Sequence, residues 1–416
     1  MGLSPKQRQS IIGSTARVNI FEGPVRSGKT LAGNLRFAEF AYHVGRTQRH
    51  NSLITGKTQE TAEANVVNDL LAMFPGNTSY VKGMLTLFGH RCRVCGVNDA
   101  AAEGRIRGGT YIGWYADEVT LYPKSFFDMG RTRLSPSRAM MLGTCNPDSP
   151  YHYLKTEWID QQNGRDCKVF SFVIDDNPSL TPEFVESLKR DYTGLFYQRF
   201  IDGKWCVAHG VIYDCWDQRN ECQAMPGNAE LIVVSSDYGV NNPTTFGMHC
   251  LCRGAWYRTK EYYWDSEREK RRKTDEEYAA DFDNFCGKAM PDAVVVDPSA
   301  TSWALLLERR GYNVVLANND VVPGIRTLSS MMARGQYKAM TPACPDFMRE
   351  RGLYVWDSKA SLRGIDSPLK QNDHTMDDAR YFAMYVAGPE TESYPVAFDT
   401  RSRGGKYDHI LREMGA

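Results

Sequence analysis

The sequence predicts an α/β protein in which two domains are each built on their own sheet. In the first half, apolar strands alternate with helix-length amphipathic segments, as in residues 17–22 followed by 30–43, an order typical of a mostly parallel sheet. In the second half, strands 230–236, 245–252 and 255–264 follow one another closely, which predicts an antiparallel meander within a mixed sheet. A chain of 416 residues is also too long for one ordinary core.

The remaining elements follow from local signals along the chain. Further strands are expected at residues 51–55, 91–97, 110–116, 138–143, 293–297 and 353–356. Further helices are expected at residues 59–73, 181–192, 274–285, 302–310 and 375–385. Two helix starts are well marked, by Pro182 directly after Thr181 and by the capping box from Thr274 to Glu277.

These elements divide the chain into four parts. Residues 1–175 form the first domain, and residues 176–228 form a linker region whose last part is polar and contains Pro and Gly. Residues 229–388 form the second domain. Residues 389–416 are polar, which predicts a flexible C-terminal tail.

Composition limits the classes of function. Net charge is zero, so overall charge gives no argument for a nucleic-acid partner, and no apolar run approaches the roughly 20 residues that span a bilayer. The N-terminus lacks the apolar core of a signal peptide, so we expect a cytosolic site of action. Only Cys92 and Cys95, among eleven cysteines, form a Cys-x-x-Cys pair. Without a second pair, reduced buried thiols are favoured over a zinc site.

A glycine-rich loop lies between the first strand and the first long helix. It reads Gly-Pro-Val-Arg-Ser-Gly-Lys-Thr, and its functional positions are Gly23, Arg26, Ser27, Gly28, Lys29 and Thr30. This pattern in this context is a P-loop, whose backbone N–H groups and helix N-terminus surround phosphates. Lys29 would contact the β- and γ-phosphates, and Thr30 would bind Mg²⁺. We therefore predict an ATP site.

An acidic pair, Asp117 and Glu118, ends the strand at 110–116. Asp117 would hold Mg²⁺, and Glu118 would polarise the attacking water as a general base. A solvated carboxylate at a strand end is the simpler alternative for Asp117, but its place downstream of a P-loop favours ATP hydrolysis.

Charge on the transferred phosphoryl group usually requires an arginine as well. Arg26 lies in the loop, and Arg105 and Arg107 precede the acidic pair, so each is a candidate arginine finger, from the same or a neighbouring subunit. Gln7 or Gln9, before the first strand, could contact the adenine edge.

Three aspartates of the second half lie at the ends of apolar elements: Asp237, Asp297 and Asp377. Carboxylates are the ligands that Mg²⁺ or Mn²⁺ prefers, and such a set suits two-metal hydrolysis of a phosphodiester. His374 stands three residues before Asp377, on the same helical face. Separate caps and surface charges are the alternative. Nearby, residues 268–273 form the densest basic run, which either is solvated or contacts DNA phosphates.

Taken in order, these motifs resemble the large terminase subunit of tailed double-stranded DNA bacteriophages, specifically the PBSX-like group. The resemblance runs from about Ser4 to Ala387. Beyond the P-loop, the acidic pair and the strand at Asp297, it includes Gly-Thr-Cys-Asn-Pro-Asp at 143–148, Phe-Tyr-Gln-Arg-Phe-Ile-Asp-Gly-Lys-Trp at 196–205, and the closing run 374–381.

The resemblance implies an N-terminal P-loop ATPase of the RecA/ASCE-like type joined to a C-terminal RNase H-like nuclease. Such a protein pumps viral double-stranded DNA through the portal into a procapsid and cuts concatemeric DNA with a two-metal endonuclease. By matching position, Thr144 to Asn146 would form the coupling motif, and residues 192–205 would belong to a lid within 176–228.

In the second domain the resemblance makes Asp237, Asp297 and Asp377 the nuclease metal ligands, with His374 as an accessory. Because two aspartates are adjacent in the last motif, Asp378 could replace Asp377 as a ligand, although the spacing of the motif favours Asp377.

One feature departs from the family pattern. The family often has an arginine four residues before the P-loop lysine, but this position is Val25 here and the arginine is Arg26. The resemblance therefore does not carry a cis-finger role over to Arg26.

The resemblance also implies ATP and Mg²⁺ as cofactors, with Mn²⁺ supporting the nuclease. Implied partners are double-stranded DNA, the portal protein, the small terminase subunit and further copies in a ring, usually described as pentameric, with a monomer in solution and no membrane. The place of action would be the host bacterial cytoplasm and not the mature virion. Two alternatives stay open: a P-loop helicase or repair ATPase fused to a nuclease, and an ATP-dependent DNA-binding assembly protein with an inactive nuclease-like domain.

Overall fold

The computed structural model describes residues 2–45, 49–98, 101–239 and 242–388. The chain divides into two compact units. The first comprises Met1–Phe184 and Gln198–Cys206, and the second Val185–Tyr197 and Val207–Glu390. The region 176–228 thus contributes to both units, and the domain limits expected from the sequence stay predictions. The predicted tail, 389–416, lies outside the described residues.

The first unit contains the P-loop. Its helices are α1 (Pro5–Gly13), α2 (Lys29–Gly45), α3 (Gln59–Ala62), α4 (Asn68–Met73), α5 (Ala102–Ile106) and α6 (Lys124–Thr132), followed by α7 (Pro182–Asp191) and α8 (Gly194–Phe200), which have residues in both units. Its strands are β1 (Val18–Glu22), β2 (Ser52–Gly56), β3 (Thr78–Val81), β4 (Met84–Leu87), β5 (His90–Gly96), β6 (Gly113–Ala116), β7 (Met140–Cys145) and β8 (Cys167–Ser171).

The eight strands of the first unit form one sheet in the order β3-β4-β5-β2-β6-β7-β1-β8. Only the β3–β4 and β4–β5 pairs are antiparallel; the others are parallel. Every residue of β2, β6 and β7 is buried, because the sheet is covered on both faces. The predicted mostly parallel sheet is confirmed, and its carboxyl edge carries the P-loop and the acidic pair.

The second unit contains the acidic set. Its helices are α9 (Asp275–Cys286), α10 (Thr301–Arg309), α11 (Val321–Ala333), α12 (Pro345–Leu353), α13 (Ser358–Ser361) and α14 (His374–Ala387). Its strands are β9 (Glu221–Cys222), β10 (Leu231–Asp237), β11 (Thr244–Cys252), β12 (Ala255–Trp264), β13 (Ala293–Val296), β14 (Val314–Leu316) and β15 (Tyr337–Met340).

This second sheet has the order β14-β13-β10-β11-β12-β15-β9. The meander β10-β11-β12 is antiparallel as predicted, whereas the other pairs are parallel, which makes the sheet mixed. Phe246 of β11 packs against Phe282 of α9 and Trp303 of α10, and His249 of β11 stacks on Phe382 of α14. Helices therefore bury this strand and hold α14 against the sheet.

One predicted strand is wrong. A strand is expected at residues 353–356, but α12 continues to Leu353, and Val355 and Trp356 make only isolated bridges, to Val211 and Pro368. Their alternation reflects burial of Tyr354 and Trp356 and not a place in the sheet.

In the part of the chain that the structure describes, no helix combines the length and apolarity needed to cross a bilayer.

Candidate active sites

The P-loop connects β1 to the 17-residue helix α2. Arg26 and Gly28 have positive φ angles of 61° and 85°, and a Cβ at Gly28 would lie 2.6 Å from the side-chain nitrogen of Gln7, so this position requires glycine. The Ser27 hydroxyl is buried and has no hydrogen-bond partner among the described residues. An unsatisfied donor beside backbone N–H groups fits a phosphate group.

Lys29 is buried at the start of α2. Its ammonium group donates hydrogen bonds to the Pro24 carbonyl at 3.1 Å and to Oδ1 of Asn146 at 2.7 Å. The lysine expected to contact phosphates is therefore directly linked to a residue that the sequence placed in the coupling motif. Thr30, expected at Mg²⁺, is the next residue of the same helix and is partly exposed.

Gln7 has a structural role beside the P-loop. Its Oε1 accepts the Ser4 N–H at 2.9 Å, and its Nε2 donates to the Gly28 carbonyl at 3.2 Å. The N-terminus of α1 thereby supports the loop from one side, and Asn177 donates to the Arg26 carbonyl at 2.8 Å from another. Adenine recognition by Gln7 stays a prediction.

The acidic pair directly follows β6. Oδ1 of Asp117 accepts the Thr144 hydroxyl at 2.6 Å, and Oδ2 accepts the side-chain nitrogen of Asn65 at 3.0 Å. Burial raises the pKa of Asp117, and the hydrogen bonds from Thr144 and Asn65 oppose this shift. Glu118 has a φ of 55°, and its N–H donates to the same Thr144 hydroxyl oxygen at 3.2 Å. One threonine therefore holds both acidic residues.

These contacts follow from the order of the strands. β6 pairs with β7 in a register that places Ala116 beside Gly143, so Asp117 and Thr144 are neighbours at the carboxyl edge. β7 also pairs with β1, whose end leads into the P-loop. The structure thus brings the P-loop, the acidic pair, Thr144 and Asn146 together.

Strand pairing and helix packing bring the three aspartates of the second unit into the same region of its sheet. β10 and β13 are parallel neighbours with Ser236 beside Val296, so Asp237 and Asp297 lie at adjacent strand ends. Asp377 lies in the first turn of α14, which packs on both strands. His374 Nδ1 lies 2.9 Å from Oδ2 of Asp237.

Asp237, Asp297 and the neighbouring His374 have shifted pKa values. Burial raises the pKa of Asp237 to about 6; the hydrogen bond from His374 opposes this, and nearby Asp377 adds to it. For Asp297, burial acts to raise the pKa, but hydrogen bonds from Ser299 and Tyr381 outweigh it and lower the pKa. Burial acts to lower the pKa of His374, but the hydrogen bond to Asp237 and the charge of Asp237 outweigh burial, so the pKa is raised.

The donor chemistry of this cluster fits a hard divalent cation, since all three acids are carboxylates with charge to neutralise. Across the described ranges, however, no three His, Cys, Asp or Glu side chains already stand close enough to hold one ion.

Comparison with known proteins identifies the family. A family model described as terminase large subunit, T4-like-virus type, N-terminal, matches residues 20–217. The structure of a large terminase from a thermophilic bacteriophage is 34% identical, with a TM-score of 0.87 over 93% of this chain and 100% of that chain. The same protein in complex with ADP has a TM-score of 0.85 at 34% identity, over 92% of this chain and 98% of that chain. This chain belongs to the large terminase family.

The predicted family, the α/β fold with an ATPase and a nuclease domain, and the enzyme class are thereby confirmed, and the helicase alternative is not favoured. No curated protein matches the chain. The PBSX-like subgroup stays a prediction, since the matching family model is of the T4-like type.

One candidate metal ligand of this large terminase requires correction. Asp378 is fully buried and forms an ion pair with Arg258, whose Nη2 lies 3.1 Å from Oδ2. The hydroxyls of Thr245 and Ser235 donate to the same carboxylate at 2.7 and 3.3 Å. Because both oxygens are engaged inside the core, Asp378 is a structural counter-ion, which leaves Asp377 as the candidate ligand.

The candidate arginine fingers of the large terminase have different surroundings. Arg105 is partly buried in a cleft of 580 Å³, where Lys82 and Arg93 also lie, and it donates to the Gly96 carbonyl at 3.0 Å. Arg107, which follows α5, is exposed. The side chain of Arg26 is partly exposed on the P-loop itself.

Sequence reasoning missed Asn65. It lies in a π-helical turn, Glu63–Val67, that interrupts the helix between α3 and α4 and points its side chain at Asp117. Behind it, Asn34 of α2 donates to the Asn65 carbonyl at 3.5 Å and to Asp69 at 3.1 Å, and burial raises the pKa of Asp69 to about 6. Nothing in the hydrophobic pattern marks a π turn, so no sequence signal could have found this contact.

The basic run at residues 268–273 is partly paired with acidic side chains. In the basic run 268–273, Arg271 pairs with Glu277, and Lys273 pairs with Asp281 while lying 3.5 Å above the Trp264 ring; the rest of the run is exposed. DNA contact by this loop stays a prediction.

All eleven cysteines are free thiols, and Cys92 and Cys95 are buried in β5.

Proposed function

We propose that this large terminase is the ATP-driven motor and nuclease subunit of a phage DNA-packaging machine. The observation that carries the proposal is one connected set of contacts at the carboxyl edge of the first sheet. Lys29 contacts Asn146, while Thr144 contacts Asp117 and Glu118. Two residues at the end of β7 therefore contact both parts of the ATP site, so a change at the γ-phosphate is transmitted to this strand end.

In the ATP site, Thr30 and Asp117 would hold Mg²⁺, which neutralises phosphate charge when bound. Lys29 adds a positive charge beside the β- and γ-phosphates, and Glu118 orients and deprotonates the attacking water. The large terminase of the thermophilic bacteriophage was solved with ADP and with ATP-γ-S, which supports nucleotide binding here.

In the second unit, Asp237, Asp297 and Asp377 would hold Mg²⁺ or Mn²⁺, which supplies an activated water and stabilises the leaving oxygen. His374 would act as an accessory through its hydrogen bond to Asp237. The substrate is concatemeric double-stranded DNA, cut before and after packaging.

For the arginine finger, exposure favours Arg107. A finger that serves a neighbouring subunit must reach beyond its own surface, and Arg107 is exposed whereas Arg105 is partly buried against the Gly96 carbonyl. The family membership further supports double-stranded DNA, the portal protein and the small terminase subunit as partners, and a ring of copies, with the host bacterial cytoplasm as the place of action.

The test measures both activities on matched variants of the full chain. We expect Lys29→Ala to lose DNA-stimulated ATP hydrolysis while keeping Mn²⁺-dependent cleavage of plasmid DNA. We expect Asp297→Ala to show the opposite pattern. Retained ATP turnover in Lys29→Ala would refute the motor, and retained cleavage in Asp297→Ala would refute the assigned nuclease site. A wild-type chain that hydrolyses ATP but does not cleave DNA would support the assembly-protein alternative.

A further inference from the structure

Helix α14 supplies a hydrogen-bond partner to each of the three aspartates of the nuclease cluster. The residues concerned are His374, Arg380 and Tyr381, which hold Asp237, Asp377 and Asp297 respectively. Arg380 and Tyr381 follow His374 by six and seven residues, so these three residues and Asp377 lie along one side of the helix. One element of the chain thus controls the orientation of all three acids.

Tyr381 fixes the carboxylate of Asp297. Its hydroxyl donates to Oδ2 at 2.6 Å, and the N–H of Ser299 donates to Oδ1 at 2.7 Å. With one donor on each oxygen, the carboxylate plane has a defined direction. The tyrosine is 3% exposed, and the Arg380 guanidinium lies 4.9 Å from the centre of its ring, so its own position is fixed as well.

Arg380 fixes the carboxylate of Asp377. Its Nε and Nη2 both donate to Oδ1, at 3.3 and 3.0 Å, and its Nη1 donates to the Asn319 carbonyl at 2.7 Å. A Cβ at Gly324 of α11 would collide with the Arg380 side chain, so the packing of α11 on α14 leaves room for this arginine. Oδ2 of Asp377 is not used by Arg380; the Lys370 ammonium lies 3.8 Å from it.

The position of α14 itself is set by two buried anchors. Arg258 of β12 pairs with Asp378, and Oε2 of Glu350 accepts the N–H and the hydroxyl of Thr375 at 2.8 and 2.7 Å. Arg258, Asp378 and Glu350 are all fully buried. The helix therefore has one rotation and one register on the sheet, and its side chains reach the aspartates in a fixed order.

We propose that Arg380 and Tyr381 are positioning residues of the nuclease, which restrict the carboxylates of Asp377 and Asp297 before a divalent cation binds. The inference rests on the proposed nuclease function. Neither residue needs to contact DNA or the reacting atoms. By limiting carboxylate rotation they reduce the entropy lost when the acids gather around the ion, which is how residues behind metal ligands strengthen binding.

The test compares Tyr381→Phe with Tyr385→Phe in the full chain. Tyr381→Phe keeps the ring and removes only the hydroxyl on Asp297, whereas Tyr385 lies one turn further along α14 and is 39% exposed. By titration calorimetry with Mn²⁺ alone, we expect Tyr381→Phe to bind the ion about ten-fold more weakly. Plasmid cleavage should need correspondingly more Mn²⁺, with a rate at saturating Mn²⁺ closer to wild type. Tyr385→Phe should match wild type in both measurements.

Arg380→Lys gives a second, independent variant, because it keeps the charge and removes the two-nitrogen contact with Asp377. We expect the same shift in Mn²⁺ dependence, with DNA-stimulated ATP hydrolysis unchanged as a check that the chain is folded. If wild type binds Mn²⁺ and cuts DNA, and both variants match it, the positioning role is overturned while the nuclease stands. If wild type neither binds Mn²⁺ nor cuts DNA, the nuclease function itself fails and the positioning role fails with it.

Discussion

A single hydroxyl group, that of Thr144, joins the two acidic residues of the ATP site. It donates to Asp117 and accepts the N–H of Glu118, so it fixes the carboxylate expected at Mg²⁺ and the backbone of the general base together. This contact also holds Glu118 at a φ of 55°, which is a strained backbone conformation for a residue other than glycine. Loss of the hydroxyl would leave a buried carboxylate with one donor fewer, and such changes cost about 1–3 kcal/mol.

We expect Thr144→Val, which keeps the shape and removes the hydroxyl, to lower ATP turnover about ten-fold or more, while affinity for an ATP analogue changes little. Thr144→Ser should restore most of the turnover. Thr132→Val, at the exposed end of α6, is the matched control. Steady-state kinetics with an analogue-binding titration decide the point, and equal turnover in Thr144→Val and wild type would contradict it.

Another residue links stability to pH. His90 is buried against the Ser52 hydroxyl at 2.8 Å, and burial lowers its pKa to about 4. An unfolded histidine has a pKa near 6.5, so below this value the unfolded chain binds more protons than the folded chain and stability falls as the pH drops toward 4. From pH 7.5 to 5.5 the loss from this residue is about 1 kcal/mol.

Denaturant unfolding across this range should therefore show a smaller pH slope for His90→Gln than for wild type. The second buried histidine, His249, also has a lowered pKa through burial and the Arg258 charge, but it contributes equally to both proteins and cancels in the difference. Identical slopes would show that His90 is not neutral and buried in the folded chain.

At the scale of elements, the segment 59–73 shows that a hydrophobic pattern can predict a helix but not an irregular turn within that helix. The pattern predicts one helix there, and the structure has α3, a π turn and α4 in succession. A π turn contains about one residue more than a turn of the α-helix that the pattern predicts. This extra residue changes the direction of the Asn65 side chain, which donates a hydrogen bond to Asp117. A helix of regular period would not present this side chain in the same place.

We expect Asn65→Ala to raise the Mg²⁺ concentration needed for half-maximal ATP turnover several-fold, because Asp117 loses one of its two side-chain donors. Asn68→Ala is the control, since Asn68 is exposed at the start of α4. Turnover measured against Mg²⁺ at saturating ATP separates the two variants, and indistinguishable curves would show that Asn65 has no part in the site.

Strand ends explain why most of the site residues were predictable. Asp117, Asp237 and Asp297 each end an apolar run, and parallel neighbours bring such ends together at one edge. Asn65 and the role of Asp378 were not predictable, because each depends on contacts between distant segments: a local π turn in one case, and a buried arginine 120 residues away in the other. The hydrophobic periodicity of the sequence indicates which residues are buried, but it does not indicate which residues they contact.

At the scale of the whole molecule, each unit has its own sheet and its own site, so the two activities should be separable by mutation. The ATP site, however, need not be complete within one copy. Its P-loop, acidic pair and coupling residues are joined by hydrogen bonds within the first unit, whereas Arg107 is exposed after α5. A ring of copies would allow this arginine to act on the ATP of a neighbour.

Mixing two inactive variants tests this arrangement. Lys29→Ala keeps Arg107 but cannot turn over ATP, and Arg107→Ala keeps its P-loop but lacks the finger. In an equal mixture, roughly a quarter of the sites combine an intact P-loop with an intact neighbouring finger, so we expect about a quarter of wild-type turnover. The recovery should depend on protein concentration, because it requires assembly. Replacing Arg107→Ala by Arg105→Ala in the mixture is the control, and Arg105→Ala should be active alone. An inactive mixture at concentrations where wild type is active would place the finger within the same subunit, whereas activity of Arg107→Ala alone would place the finger at another arginine.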